Sequence, residues 1–357
     1  YDDDIELRDP TGAVLGFVQT TRRELDSQLA AVNLSWKESE AERPAALYLR
    51  GETKKTRIAA TSGSLADYRL RRHQETLYGG AELPMPYDLL IELKSQIAAQ
   101  VDDLDLGQAP RTSIAPRDTD RRSLLRGSSA AVAWQPGAWS LYTQIARNDR
   151  GPTLLEEFGD GALVRDNPSL RSELMLHREF GTQWRSLDPH RLVSSLGLRS
   201  AVFQDNSKDR IVLLPSLGQT LRAQNISDTQ IRGFEVGADA TLDRFTITMG
   251  YAHLIPRDES FVGRVRQIPG VPTDVATGSL AVNLKPWTLR WATRYQSQVW
   301  RDSENAIAMP GYMIHDATID TEYDRFALGI AVYNVSNQQK SEIRAVGTNA
   351  NRGYTSY

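Results

Sequence analysis

The sequence predicts an all-β protein built from long antiparallel strands. Apolar and polar side chains alternate with period 2 in many segments, and long polar connectors alternate with very short ones. No stretch approaches the roughly 18 uninterrupted apolar residues of a membrane-spanning helix. The mean hydropathy of −0.44 does not exclude a membrane, because only every second residue of a spanning strand is apolar. A transmembrane antiparallel β-barrel and a soluble sandwich or propeller both fit.

The strongest alternation lies near the middle of the chain. From Phe234 to Leu242 the even positions are apolar and the odd positions are Glu, Gly, Asp and Thr. After Asp243 and Arg244 the pattern resumes from Phe245 to Ala252. Two alternating runs around a two-residue connector predict a hairpin.

Further strands are predicted by the same alternation at Trp287 to Gln296 and at Phe326 to Val332. Trp139 to Ile145 also alternates, and the preceding Gln135-Pro136-Gly137 predicts a tight connection. Spread over 357 residues, segments of this kind predict roughly 16 strands.

Two segments fit either a helix or a strand. In Asp88 to Asp102, apolar residues recur at helical spacing but also alternate over a long run. In Thr21 to Val32, Thr21 and Glu24 could form a capping box. We predict a strand for both segments, because the alternation continues through them.

The composition excludes several function classes. The net charge is −3, Lys and Arg are scattered, and there is no cysteine, which argues against a nucleic-acid surface and a thiolate metal site. The five histidines lack ligand spacing, so no metal is expected. Without a Gly-x-Ser-x-Gly elbow or a phosphate loop, we expect no catalytic residues, no cofactor and no enzyme.

Four segments, in order, resemble the C-terminal half of TonB-dependent outer-membrane receptor barrels, strongest from about residue 140 to 340. Ala146 to Phe158 and Asn167 to Glu173 resemble the first motif, and Asn225 to Glu235 resembles a strand start with Asp228 in place of the internal glycine. Ile268 to Pro272 resembles the family's turn, and Pro310-Gly311-Tyr312 with Asp316 precedes the final element, Ala331 to Asn337.

The resemblance implies that residues 1–357 are one receptor β-barrel domain, part of a barrel of about 22 strands. We expect the chain to be truncated at both ends and the plug domain to be absent. Tyr1 to Asp4 shows no signal peptide. Gly353 to Tyr357 is too short for the family's final strand, which ends in Phe.

The resemblance also implies a function. Such a receptor lies in the outer membrane of a Gram-negative bacterium, contacts its lipid, and imports a scarce ligand by ligand-gated active transport. The expected ligand is a ferric siderophore, and the expected protein partner is TonB, acting through the plug and TonB box. Two alternatives stay open: a self-contained porin of about 16 strands, and a soluble β-rich binding protein.

Alternation assigns candidate residues to two faces of the barrel. We expect eight polar residues to face the lumen, where they could contact the plug or a passing ligand: Glu92, Lys94, Gln96, Glu235, Asp239, Arg290, Arg294 and Gln296. We expect four aromatic residues to form an interfacial girdle: Trp139, Trp287, Trp291 and Tyr295.

Overall fold

The computed structural model describes most of the chain. The described residues are 2–9, 19–38, 44–62, 68–105, 121–159, 164–187, 192–216, 220–260, 265–323 and 326–338. The predicted C-terminal truncation at Gly353 to Tyr357 lies outside them.

Nearly all of the described secondary structure is strand. In chain order the elements are β1 (Asp2–Asp9), β2 (Gln19–Lys37), β3 (Ala46–Ser62), β4 (Tyr68–Met85), β5 (Leu89–Asp105), β6 (Arg121–Trp134), β7 (Trp139–Arg150), α1 (Leu154–Phe158), β8 (Val164–Arg165), β9 (Glu173–Leu187), β10 (Val193–Ser216), β11 (Thr220–Leu242), β12 (Phe245–Asp258), β13 (Asp274–Leu284), β14 (Trp287–Gln296), β15 (Val299–Trp300), β16 (Ala308–Met309), β17 (Tyr312–Tyr323) and β18 (Phe326–Val332).

The long strands form one continuous antiparallel meander, whereas β15 and β16 pair with each other in a separate two-stranded sheet. Each long strand pairs with the next one along the chain, from β1 to β18, and the short β8 adds in parallel to β11. The sheet has 16 strands. Within the described residues, no pairing joins β1 to β18. This is an all-β architecture, as the alternation predicted, and it has the partial-barrel form that the family resemblance implied.

The two ambiguous segments are both strands. The prediction for Thr21 to Val32 is confirmed by β2, and the prediction for Asp88 to Asp102 is confirmed by β5 from Leu89 onward. The predicted hairpin is β11 and β12, with Leu242 opposite Phe245 and Asp243 at φ 49°. A left-handed residue at this position suits a two-residue turn between twisted strands.

The sheet has an apolar face and a polar face. In β14, Trp287, Leu289 and Trp291 share one face with Leu280 of β13 and Ile319 of β17. These side chains belong to a band of exposed apolar residues that extends back to Leu34 of β2 and Leu49 of β3. The opposite face carries the charged and amide side chains, including Arg290 and Arg294. Adjacent residues of a strand therefore meet different surroundings.

The connectors also differ between the two ends of the strands. One end, which we call the short-turn end, has tight turns such as residues 86–88, 135–138 and 285–286. The other, the long-connector end, carries residues 151–172, 259–273 and 297–311. Over the described ranges, none of the helices is long and apolar enough to cross a membrane.

Candidate functional site on the polar face

The three candidates on β5 lie on the polar face. Lys94 Nζ donates to Glu92 Oε2 at 2.8 Å, and both side chains are partly exposed. Gln96 lies beside Gly127 of β6, where an added Cβ would come within 2.6 Å of its amide nitrogen. Gly127 therefore provides the space that Gln96 occupies on the neighbouring strand.

The remaining candidates lie on the same face of β11 and β14. Asp239 faces Arg185 of β9 at 4.0 Å, and Arg294 donates to Asp316 Oδ2 at 2.8 Å. Gln296 accepts from the Tyr312 hydroxyl at 3.1 Å. Glu235 is exposed on β11, and Arg290 lies 4.0 Å from Asp320. Contact of these eight residues with a plug or a ligand stays a prediction.

The four aromatic candidates lie on the apolar face at different heights. Trp139 and Trp287 begin strands at the short-turn end, where Trp139 packs against Trp184 with ring centroids 6.3 Å apart. Tyr295 lies towards the opposite end of β14, about 26 Å along the strand from Trp287. Trp291 lies midway and packs against His315, with ring centroids 5.4 Å apart and the ring planes tilted by 32°. An interfacial girdle therefore suits the positions of Trp139, Trp287 and Tyr295 better than that of Trp291.

The helix α1 was not predicted from the sequence. Thr153 caps it: its hydroxyl accepts from the Glu156 backbone nitrogen, and the Glu156 carboxylate accepts from the Thr153 nitrogen at 2.8 Å. Gly159 ends the helix at φ 72°, and a Cβ there would lie 2.4 Å from the Val164 carbonyl oxygen. Thr-x-x-Glu followed by glycine was the available signal.

The helix packs onto the polar face at the long-connector end. Leu154 and Phe158 form a buried cluster with Leu70 of β4, and Ile58 of β3 packs against it. We call these four residues the α1 cluster. Because Leu70 shares its face of β4 with Arg72, the connector folds inward over the polar face rather than away from it.

Charged side chains are buried beneath α1. Arg72 donates to both oxygens of Asp102 at 2.6 and 2.8 Å and to the Pro152 carbonyl oxygen at 2.7 Å. Gln100 donates to Asp102 at 2.8 Å, and Asp102 is fully buried. Both carboxylate oxygens of Asp102 thus accept hydrogen bonds, which compensate for the water that the carboxylate loses on burial.

Glu157 is buried beside this network. Its Oε1 accepts from Arg121 at 3.0 Å, while its Oε2 has no hydrogen-bond partner among the described residues. Burial raises the pKa of the Glu157 carboxyl above its ordinary value, and the nearby Arg121 only partly opposes this shift. The neutral acid is therefore favoured more strongly here than in water.

The described part of this connector that follows α1 forms hydrogen bonds with β11 at the long-connector end. Asn167 donates to the Ala223 carbonyl at 2.7 Å. The Asn225 side chain accepts from the Arg171 nitrogen at 2.9 Å and donates to the Arg171 carbonyl at 3.0 Å. Leu170 is buried against Ile211 and Ala223. Two of the motifs singled out in the sequence therefore contact each other directly.

A second network on the polar face was missed because its residues lie on three strands. His177 of β9 faces Asp205 of β10 at 2.6 Å and Glu179 at 2.9 Å, and the Tyr142 hydroxyl of β7 donates to Glu179. Phe203 stacks on the His177 ring. The spacing of His177 and Glu179 places both on one face, but only the register shows Asp205. In the described ranges, no group of three acidic or histidine side chains is arranged for a metal ion.

The comparisons with known proteins agree with this geometry. The family model described as TonB dependent receptor-like, beta-barrel matches residues 21–335. The chain belongs to this family. A comparison with curated proteins gave no match.

Solved structures of TonB-dependent receptors share the fold. The copper transporter OprC has a TM-score of 0.71 at 13% identity, with 96% of this chain and 55% of that chain covered. The siderophore receptor PiuA from Acinetobacter baumannii has a TM-score of 0.68 at 18% identity, with 95% and 56% covered. The ferric-catecholate import receptor Fiu from E. coli K12 has a TM-score of 0.67 at 14% identity, with 90% and 52% covered. The chain thus spans about half the length of each.

Proposed function

We propose that this chain forms part of the wall of an outer-membrane receptor that imports a scarce ligand, with a ferric siderophore as the first candidate. The observation that carries the proposal is the two-faced sheet of a TonB-dependent receptor family member. A continuous band of exposed apolar side chains covers one face, and charged and amide groups occupy the other.

In this proposal the apolar face contacts lipid and the polar face lines the lumen. The ladder of hydrogen bonds between successive strands satisfies the backbone groups that lipid cannot. With a strand tilt of about 40°, the distance from Trp287 to Tyr295 spans about 20 Å of depth, slightly less than the about 25 Å band of outer-membrane barrels. The long-connector end then faces the cell exterior, because such barrels have longer loops there.

In this proposal the transport step also uses the plug and the exterior loops of a receptor of this family. As the family resemblance implies, ligand binds to exterior loops and the plug, and TonB, driven by the inner-membrane proton gradient, pulls on the plug to open a path. The role proposed for this chain is to hold a wide polar wall and to position the inward-folded α1 connector beside that path. We propose no catalytic role for this chain.

The orientation of the two faces is testable with single cysteines. Because the chain has no cysteine, each substituted residue provides the one thiol in it. In intact outer membranes we expect Arg290→Cys and Gln296→Cys to react with a water-soluble maleimide, and Leu289→Cys to be protected by lipid. Equal labelling of Leu289→Cys and Arg290→Cys would contradict the proposed faces.

The transport function is tested with the full-length gene in a strain that lacks it. We expect uptake of a radiolabelled ferric siderophore under iron limitation, and loss of that uptake when TonB is deleted. Uptake that continues without TonB would instead indicate passive diffusion through a pore. If no siderophore in a chemically diverse panel is taken up, the ligand class is wrong while the face assignment stands on the labelling result.

A further inference from the structure

Three polar side chains are buried side by side on the polar face, towards the long-connector end. They are Ser207 of β10, Thr229 of β11 and Asp258 of β12, with exposed fractions of 3%, 3% and 0%. Ser207 is opposite Thr229, and Thr229 is opposite Asp258, so the three lie on one face of adjacent strands. This face is the polar one, because Ser207 is two residues from Asp205, which faces His177. We call these three residues the buried trio.

Each member of the buried trio has an oxygen that lacks a hydrogen-bond partner among the described residues. These atoms are Ser207 Oγ, Thr229 Oγ1 and Asp258 Oδ2. The other carboxylate oxygen of Asp258 accepts from the Ser260 backbone nitrogen at 3.0 Å. Buried polar groups nearly always have a partner, and leaving one without a partner costs stability. Three such oxygens in one place therefore indicate a bound species that comes from outside the chain.

The charge of Asp258 is also uncompensated in the described part of the chain. Arg266 is opposite Asp258 in an isolated bridge, yet its guanidinium donates to Glu304. None of the described basic side chains forms an ion pair with Asp258. By contrast, both oxygens of Asp102 accept from Arg72. Because a buried carboxylate needs a positive charge or donors in place of its water, we expect the bound species to be a cation.

The available atoms favour a hard cation. All three are oxygens, one from a carboxylate and two from hydroxyl groups, and hard cations prefer oxygen ligands. Ca²⁺ accepts an irregular shell of oxygens, whereas Mg²⁺ requires a near-ideal octahedron. Adjacent strands are about 4.8 Å apart, which is twice a Ca²⁺–oxygen distance of roughly 2.4 Å, so an ion between two strands can contact side chains from both. Histidine spacing gives no sign of such a site, because its oxygens come from three strands.

We propose that the buried trio binds one Ca²⁺ ion. Asp258 Oδ2 and Thr229 Oγ1 are direct ligands, and Ser207 Oγ, one strand further away, is bridged to the ion by a water molecule. The ion supplies the positive charge that Asp258 lacks and satisfies both hydroxyl oxygens. A site with one carboxylate is weak, with a dissociation constant on the order of 10⁻⁴ to 10⁻³ M, as in extracellular modules. With the long-connector end facing the exterior, as proposed above, its occupancy follows the Ca²⁺ concentration outside the cell.

The ion stabilises the start of the connector that follows β12. The Glu259 nitrogen donates to the Asp228 carbonyl oxygen at 2.9 Å, and the Asp228 nitrogen donates to Ser260 Oγ at 3.3 Å. The Ser260 nitrogen in turn donates to Asp258. Holding the Asp258 carboxylate in place therefore holds this first turn against β11. Removal of the ion is expected to loosen the turn while the ladder between β11 and β12 stays intact.

Binding of radioactive Ca²⁺ to the full-length protein in detergent, after treatment with EDTA and its removal, tests the proposal. We expect Asp258→Asn to weaken binding at this site about tenfold or more, because the charged ligand is lost, and Thr229→Val to weaken it less. The matched control is Asp228→Asn, which removes an exposed carboxylate one residue from Thr229 and should leave binding unchanged. Mg²⁺ should compete weakly. Equal Ca²⁺ binding by the wild type and Asp258→Asn would overturn the proposal.

Hydrogen exchange at residues 258–260 distinguishes a lost site from a misfolded variant. In the wild type, exchange should be slower with Ca²⁺ than in EDTA, and Na⁺ at the same ionic strength should have no such effect. Asp258→Asn should keep its fold but lose the response to Ca²⁺. If the wild type does not respond to Ca²⁺, but acidification in EDTA slows its exchange after correction for the intrinsic pH dependence, Asp258 holds a proton and the proposal is wrong. Neither measurement requires transport, so failure of siderophore uptake would leave both results unaffected.

Discussion

The α1 end of the polar face and the wall formed by β13, β14 and β17 use the same charged residue types in different ways. Under α1, Asp102 is fully buried and receives three side-chain hydrogen bonds. On the C-terminal wall, Arg290 and Asp320 lie 4.0 Å apart with side chains 63% and 47% exposed. The first arrangement fixes a connector on the sheet, whereas the second leaves its charges free to exchange partners. The charges of the wall are therefore the ones that the proposed ligand or plug could contact without breaking a buried pair.

The largest expected difference between these regions comes from removing one carboxylate. Asp102→Ala leaves Arg72 buried without its partner, which costs about 3–5 kcal/mol. Asp320→Ala removes an exposed pair, which contributes about 0–1 kcal/mol. The free energies of unfolding, from urea titration in lipid vesicles, should separate the two variants clearly. Similar values for both would remove the distinction drawn between the two regions.

The next largest effect tests the faces of the wall itself. Leu289→Arg puts a charge on the apolar face of β14, between the level of Trp287 and mid-depth, and should cost about 1–2 kcal/mol if that face meets lipid, because the cost of about 2–4 kcal/mol at mid-depth falls towards the interface. Thr288→Arg, one residue away, adds the same charge to the polar face and should cost little. The same vesicle titration measures both. A larger cost for Thr288→Arg would reverse the assignment of the faces.

A smaller effect concerns the pH dependence of α1. Because the pKa of Glu157 is raised in the folded state, that state binds more protons, and this contribution is fully present below the ordinary carboxyl pKa and is lost as pH rises through the folded value. Hydrogen exchange of residues 151–159, corrected for its intrinsic pH dependence, should therefore show more protection as pH falls from 7 towards 5.

Two variants isolate the group responsible. Glu157→Gln should abolish the pH slope, because the amide does not titrate. Glu156→Gln should weaken α1 through its capping box and its pairing with Arg150 but keep the slope. If the slope persists in Glu157→Gln, another group controls the docking of α1.

The sequence predicted the sheet better than it predicted the connectors. The alternation in Phe234 to Leu242 was sufficient to predict this part of β11, because a strand whose two faces meet different surroundings must separate apolar from polar side chains. The partners of His177 could not be predicted, because Asp205 reaches it through the register of β9 and β10. The inward position of α1 depends on Leu70, which precedes it by more than 80 residues, and no local pattern encodes that contact.

The smallest effect separates two segments with the same local pattern. Thr21 and Glu24 have the spacing of Thr153 and Glu156, yet Thr21 pairs with Leu7 and Ser62 in a sheet, while Thr153 caps a helix. Thr153→Ala should cost about 1 kcal/mol of α1 stability, seen as faster exchange at residues 154–158. Thr21→Ala should leave local exchange unchanged, because β2 has no helix end to cap. Equal effects would mean that the cap contributes nothing and that α1 is held by Phe158 and Leu154 alone. A clear difference would show that the flanking residues, Gly159 at the helix end and strand partners on both sides of β2, decide which structure the shared pattern forms.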